Sequence, residues 1–139
     1  MYSISAGRNG KRMEAKDKLE HIFALQAAFD DALRQARGLD GITREQWIQR
    51  ETLAMLSELA ELIDEVNFKW WKNPKPVDEA AVKGELVDLL HFLVSMCLKM
   101  GMTAGELHAM YVHKNRENFE RQHGNAAKDP DGYKAPPSD

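Results

Sequence analysis

The chain has 139 residues, a formal net charge of −3 and one cysteine, which fits a single domain with a real core and is too short for two ordinary domains. The slight acidity gives no general attraction to nucleic acid or to an anionic membrane, so any anionic ligand must be met by local charge. Cys97 alone builds no disulfide framework, no run approaches the ~18 apolar residues of a membrane span, and the first residues lack the apolar centre of a secretory signal, so cytoplasm is the expected setting.

Every periodic segment has helical spacing and none alternates as a half-buried strand does, which predicts an all-α fold. Residues 1–14 are expected to be a flexible leader, and a first helix over about 15–37 carries Leu19, Ile22, Phe23, Leu25, Gln26, Phe29 and Leu33 before "GLDG" breaks it. Thr43 and Gln46 form a capping-box pattern that opens a second helix running to about Asn67. Pro74 and Pro76 then impose a loop, because each lacks a backbone donor and restricts the residue before it. Asp78 is the expected N-cap of a third helix ending at Gly101, and Thr103 opens a fourth that ends near Gly124. Residues 125–139 are expected to be a flexible tail. Four helices with short connections predict a bundle, with residues 15–124 as the folded domain.

Two stretches, "SELAELIDE" (57–65) and "GELVDLLHF" (84–92), place carboxylates three residues apart inside apolar helical patterns. On the second helix Glu58, Glu61 and Glu65 fall within an arc of roughly 60° beside a broad apolar face, which a solvated helix edge would also explain. The third helix is harder to explain that way. Between Leu86 and Leu98 its only polar residues are Asp88, His91 and Ser95, which with Glu85 form a narrow seam on an otherwise apolar cylinder. Such a helix is expected to be largely buried, and buried carboxylates need a cation, which a Lys, an Arg or a metal ion can supply; the alternative is that the seam is the bundle's wet edge, balanced by Lys99. Neighbouring helices joined by a short loop face each other, so the two acid pairs can converge on a site rich in oxygen ligands. Hard divalent cations select such sites, and magnesium, which also binds substrate phosphates, is the first candidate. Zinc fits less well, since there is no cysteine pair and His91 is the only histidine within the seams.

Phosphate chemistry also needs positive groups. On the fourth helix Tyr111, Lys114, Asn118 and Arg121 share one face, where a lysine offers a point charge and an arginine a fork for two phosphate oxygens. A basic face near a helix C-terminus is also what the helix dipole favours in the absence of any ligand. Trp47 and the methionines have the character of packing residues.

The arrangement Glu58-x-x-Glu61, 23 residues, Glu85-x-x-Asp88 resembles the metal-binding signature of the all-α nucleoside triphosphate pyrophosphohydrolases, which include the MazG-like enzymes and the dimeric dUTPases. Three further stretches resemble the dimeric dUTPase branch: "FALQAAFD" (23–30), "KWWK" (69–72) and "YVHKNRENFERQ" (111–122). The resemblance implies a Mg²⁺-dependent dUTP pyrophosphohydrolase in which Glu58, Glu61, Glu85 and Asp88 hold Mg²⁺, and Glu61, ahead of Glu58, orients or deprotonates the attacking water. It implies that Lys114, Asn118 and Arg121, with Tyr111, hold the phosphates, and that Gln26 reads the pyrimidine while Trp70 or Trp71 packs against base or sugar, assisted by Lys72. It also implies a homodimer whose second subunit completes the pocket.

Two departures stand out. Where some relatives carry Asn four residues after the base-reading Gln, this chain has Asp30, which accepts but does not donate when ionised. A Gly132-Tyr133 pair also stands farther from the Arg121-Gln122 pair than in related chains. The alternatives are the same chemistry on dCTP or a non-standard nucleotide, and a non-catalytic helical dimer that binds a protein.

Overall fold

The computed structural model describes residues 17–124. It contains four helices, α1 (Lys18–Arg37), α2 (Arg44–Glu65), α3 (Glu79–Lys99) and α4 (Ala104–Gln122), and the described residues form no strand. The all-α expectation holds. The leader and tail assigned to 1–14 and 125–139 lie outside the described residues, as does the Gly132-Tyr133 pair.

Each helix starts where a short polar side chain can satisfy backbone donors that have no partner within the helix. Asp17 accepts from the Glu20 amide, and Asp78 and Thr103 cap α3 and α4 in the same way. Thr43 and Gln46 complete the capping box in both directions. α1 ends at Gly38 with φ +60°, and Gly101 follows α3 with φ +75°, left-handed positions that suit a residue without Cβ. α2 ends two residues before the sequence pattern suggests, because Asn67 turns left-handed at φ +54°. Its amide then donates to the Lys75 carbonyl (2.6 Å) and accepts from the Lys75 amide (2.9 Å). This clamp closes the base of the loop carrying "KWWK".

α3 is the central element, with α2 along one side and α1 along another, while α4 packs on α1. Side-chain contacts give the directions. Glu51 of α2 meets Ser95 and Lys99 of α3, while Glu58 meets Glu85 and Asp88, so α2 and α3 are antiparallel. Gln26 meets His91 and Asp30 meets Ser95, the same separation of 65 residues each time, so α1 and α3 are parallel. A bend of 108° between α3 and α4 carries α4 away from α3.

The buried apolar core is Phe23, Val94, Cys97 and Ala104, with Leu19, Leu98, Met102 and Leu107 packed against it. It lies where α1, the end of α3 and the start of α4 meet. The expectation that α3 is buried over most of its circumference is corrected here: only Val94, Ser95 and Cys97 are buried, and Leu86 and Val87 stay about half exposed. Three neighbours placed at one end of α3 and along two of its sides leave the remaining apolar surface uncovered. Leu53, Leu56, Leu59 and Ile63 on α2 are exposed too. An apolar surface of this breadth is unusual for a helix pair that stays alone in water.

Candidate functional site

The facing sides of α2 and α3 carry the acid seams. Because α2 and α3 are antiparallel, Glu58 and Glu61, one turn apart, come opposite Glu85, and ligand oxygens of these three lie within 4.8 Å of one another. Asp88, one turn on from Glu85, also acts electrostatically on Glu58 and shares a cavity with it. The Glu58 carboxyl is pushed above its ordinary 4.5 by partial burial first, then by its hydrogen bond to Glu85 and the charges of Asp88 and Glu85, with a hydrogen bond to Glu61 acting the other way. Like charges this close disfavour ionisation unless a cation joins them. One Glu85 oxygen, Oε2, is buried without a hydrogen-bond partner among the described residues, and a buried carboxylate oxygen left unpaired is costly. The donor set is all oxygen and suits a hard divalent ion such as Mg²⁺.

A cavity of about 460 Å³ runs from Glu58 and Asp88 to Gln26, Asp30, Glu51 and Ser95, with Phe29 and Phe92 among its walls. Two residues picked from the sequence for base recognition thus stand in the cavity that begins at the acid seams. Gln26 is buried. Its amide nitrogen donates to Asp30 Oδ1 at 2.9 Å, and its amide oxygen lies 2.8 Å from His91 Nδ1, which donates there.

At the far end the polar groups have their own cation. Ser95 Oγ lies 2.7 Å from Asp30 Oδ2 and 2.7 Å from Glu51 Oε1. Lys99 donates to Glu51 and to Ser95, stands 3.7 Å from Asp30, and lies over the Trp47 ring, 4.3 Å from its centroid. A cation over an indole face gains from the ring quadrupole, which helps hold the ammonium between the acids. Glu51 is the participant that sequence reasoning missed. A signal was available, because Glu51 stands seven residues before Glu58 and so on the same stripe of α2, just as Ser95 stands seven residues after Asp88 on α3.

Other sequence-picked residues lie elsewhere. Trp70 and Trp71 sit in the loop after α2, 87% and 59% exposed, in edge-to-face contact with ring centroids 5.5 Å apart. Lys72 borders a separate groove of about 450 Å³ with Asp64, Glu65 and Lys69. Tyr111, Lys114, Asn118 and Arg121 are exposed on α4 and line neither this groove nor the α1–α3 cavity. Within one chain the structure does not bring them to the acid cluster.

Residues 18–106 match the model of a protein family described as dUTPase. The chain belongs to this all-α dUTPase family. The matched span contains both acid pairs, Gln26, Asp30 and "KWWK", and stops just inside α4, before Tyr111 and the basic stripe. Among curated proteins this family member is similar to a dCTP pyrophosphatase of Enterobacteria phage T4, 36% identical over 87 residues, covering 52% of this chain and 51% of the relative. It is also similar to a dCTP pyrophosphatase of Enterobacteria phage LZ5, 32% identical over 74 residues, covering 53% of this chain and 43% of the relative. A DNA replication protein of phage T4 matches at 32% over 81 residues, 48% of this chain and 21% of that protein. The chain spans about half the length of the dCTP pyrophosphatases it matches. No solved structure matches it.

Two outcomes follow from the electrostatics. A carboxyl whose folded pKa is raised stabilises the fold below its unfolded value of 4.5, and that contribution is lost as pH rises through the raised value. Thermal unfolding in chelator should therefore show Glu58→Gln with a flatter loss of Tm above pH 4.5 than the parent chain. At the other end, Lys99→Met should destabilise the fold by about 3 kcal/mol in urea unfolding, because Glu51 keeps a buried charge with no cation. Adding Glu51→Leu should restore most of that loss.

Proposed function

We propose that this member of the dUTPase family is a Mg²⁺-dependent pyrophosphohydrolase of a deoxypyrimidine nucleoside triphosphate, dUTP or dCTP, yielding the nucleoside monophosphate and pyrophosphate. The observation that carries the reading is the convergence of Glu58, Glu61 and Glu85, with a buried, unpartnered Glu85 oxygen, beside a cavity that Glu58 and Asp88 line together with Gln26 and Asp30. The family match and the dCTP pyrophosphatase relatives support the reaction class.

Glu58, Glu61, Glu85 and Asp88 would hold the metal. When bound, Mg²⁺ supplies charge neutralisation for the triphosphate and lowers the pKa of water. The protein's part is placement. Glu61, the most exposed member of the cluster, orients the attacking water and takes its proton. The water oxygen forms the new bond to the α-phosphorus, the bond to the bridging oxygen breaks, and pyrophosphate leaves with that electron pair. Phe29 and Phe92 give the base apolar walls, and Gln26 and Asp30 face its polar edge. Cys97 is buried and its thiol is pushed up by that burial, which makes it a poor nucleophile and leaves it outside the chemistry.

We also propose that the active form is a homodimer. The exposed leucines of α2 and α3 offer an apolar surface for a second copy. A second copy is also the available source of a basic stripe near the acids, since α4 of the same chain packs on α1.

The test is pyrophosphate release from dUTP, dCTP, dTTP, dATP and dGTP, with Mg²⁺ and with excess chelator. Turnover of dUTP or dCTP should vanish with chelator, and Glu61→Gln should lower kcat on the order of 100-fold or more while the fold stays intact. Light scattering should give twice the chain mass at micromolar concentration. A folded protein that turns over none of these nucleotides would favour the non-catalytic, protein-binding reading.

A further inference from the structure

The far end of the α1–α3 cavity has a hydrogen-bonding pattern of its own. Asp30 accepts from Gln26 on Oδ1 and from Ser95 on Oδ2. Each carboxylate oxygen has two acceptor sites, so one remains on each. The single hydrogen of Ser95 can serve Asp30 because Lys99 donates to Glu51 Oε1. Glu51 Oε2 is different: it is buried with no hydrogen-bond partner among the described residues, on a residue only 7% exposed that lines the same cavity. Two carboxylates joined through one serine hydroxyl, one of them with its other oxygen lacking a donor, fit a ligand group with two hydrogens on one atom.

Asp30 also sets the direction of Gln26. With the amide reversed, its oxygen would face the Asp30 carboxylate, acceptor against acceptor. The observed orientation points the amide nitrogen at Asp30, uses one of its hydrogens there and leaves the second for a ligand. His91 Nδ1 holds the amide oxygen on the other side. The cavity therefore presents acceptors beside a donor.

The two pyrimidine edges differ at these positions. Cytosine carries an amino group with two hydrogens at C4 and an acceptor at N3, whereas uracil carries an acceptor at C4 and a hydrogen at N3. We propose that Asp30, Gln26 and Glu51 make this cavity select cytosine over uracil, Asp30 and Glu51 accepting the hydrogens of the base amino group and Gln26 donating to ring N3. Uracil in the same pose places its C4 oxygen against two acceptors and its N3 hydrogen against a donor. Ser95 and Lys99 act as positioning residues, holding Asp30 and Glu51 as acceptors at one point. The inference rests on the pyrophosphohydrolase reading and deepens it by naming the base.

The experiment compares kcat/KM for dCTP and dUTP in the full chain, its Asp30→Asn variant and its Glu51→Gln variant, with Mg²⁺ present. The parent chain should prefer dCTP. Asp30→Asn supplies an amide donor and frees Gln26 to reverse, so the dCTP-to-dUTP ratio should fall on the order of 10- to 100-fold, with dUTP turnover held or raised. Glu51→Gln should move the ratio in the same direction and carries the test if Asp30→Asn does not fold. Equal loss on both nucleotides, or a parent chain that prefers dUTP, would overturn the inference and leave the pyrophosphohydrolase standing. A folded parent chain that hydrolyses neither would overturn the reaction class itself.

Discussion

The constraint on which the rest of the structure depends is the placing of like charges on two facing helices. Glu58, Glu61 and Glu85 bring carboxylate oxygens within 4.8 Å of one another, and like charges at that proximity repel without a cation between them. The antiparallel pairing of α2 with α3 has to hold this arrangement against repulsion. It is helped by the Asn67 clamp on Lys75, which fixes the loop between the two helices, and by α3 lying between α1 and α2. A cation held by these carboxylates would relieve repulsion that the pairing of α2 and α3 has already placed there.

The opposite end of the same cavity follows the reverse logic. Asp30 and Glu51 are acids too, yet Lys99 stands between them, Ser95 joins them, and Trp47 lies beneath the ammonium. One network ties α1, α2 and α3 together through four polar side chains and an indole. Buried charges that bring their own partner fix geometry, and those that lack one await a ligand. Each region keeps one orphaned carboxylate oxygen, Oε2 of Glu85 and Oε2 of Glu51, but at the Glu51 end the Lys99 ammonium offsets the acids.

What one chain leaves open is as informative as what it closes. The apolar residues of α2 and the first half of α3 are exposed, and the basic stripe of α4 stands apart from the acids, since the 108° bend after α3 carries α4 onto α1. The family match ends before that stripe. The acid cluster and the cavity beside it belong to the three-helix unit of α1, α2 and α3, and neither the lysines of "KWWK" nor the basic stripe of α4 lines that cavity.

The sequence by itself determined the helices, because caps such as Thr43, Asp78 and Thr103 and the prolines after Asn67 act through local hydrogen bonds and sterics. It also marked both acid pairs, since carboxylates in an otherwise apolar stripe have few physical explanations. Tertiary structure decided the rest. Periodicity says which face of α3 is apolar but not how many neighbours cover it, so the expected burial of that helix was overdrawn. The order of residues could not show that α1 runs parallel to α3 in a register that sets Gln26 on His91 and Asp30 on Ser95. Nor could it show that Glu51, seven residues from Glu58, faces Lys99 rather than water. Those contacts join residues dozens of positions apart, and only packing brings them within hydrogen-bonding distance.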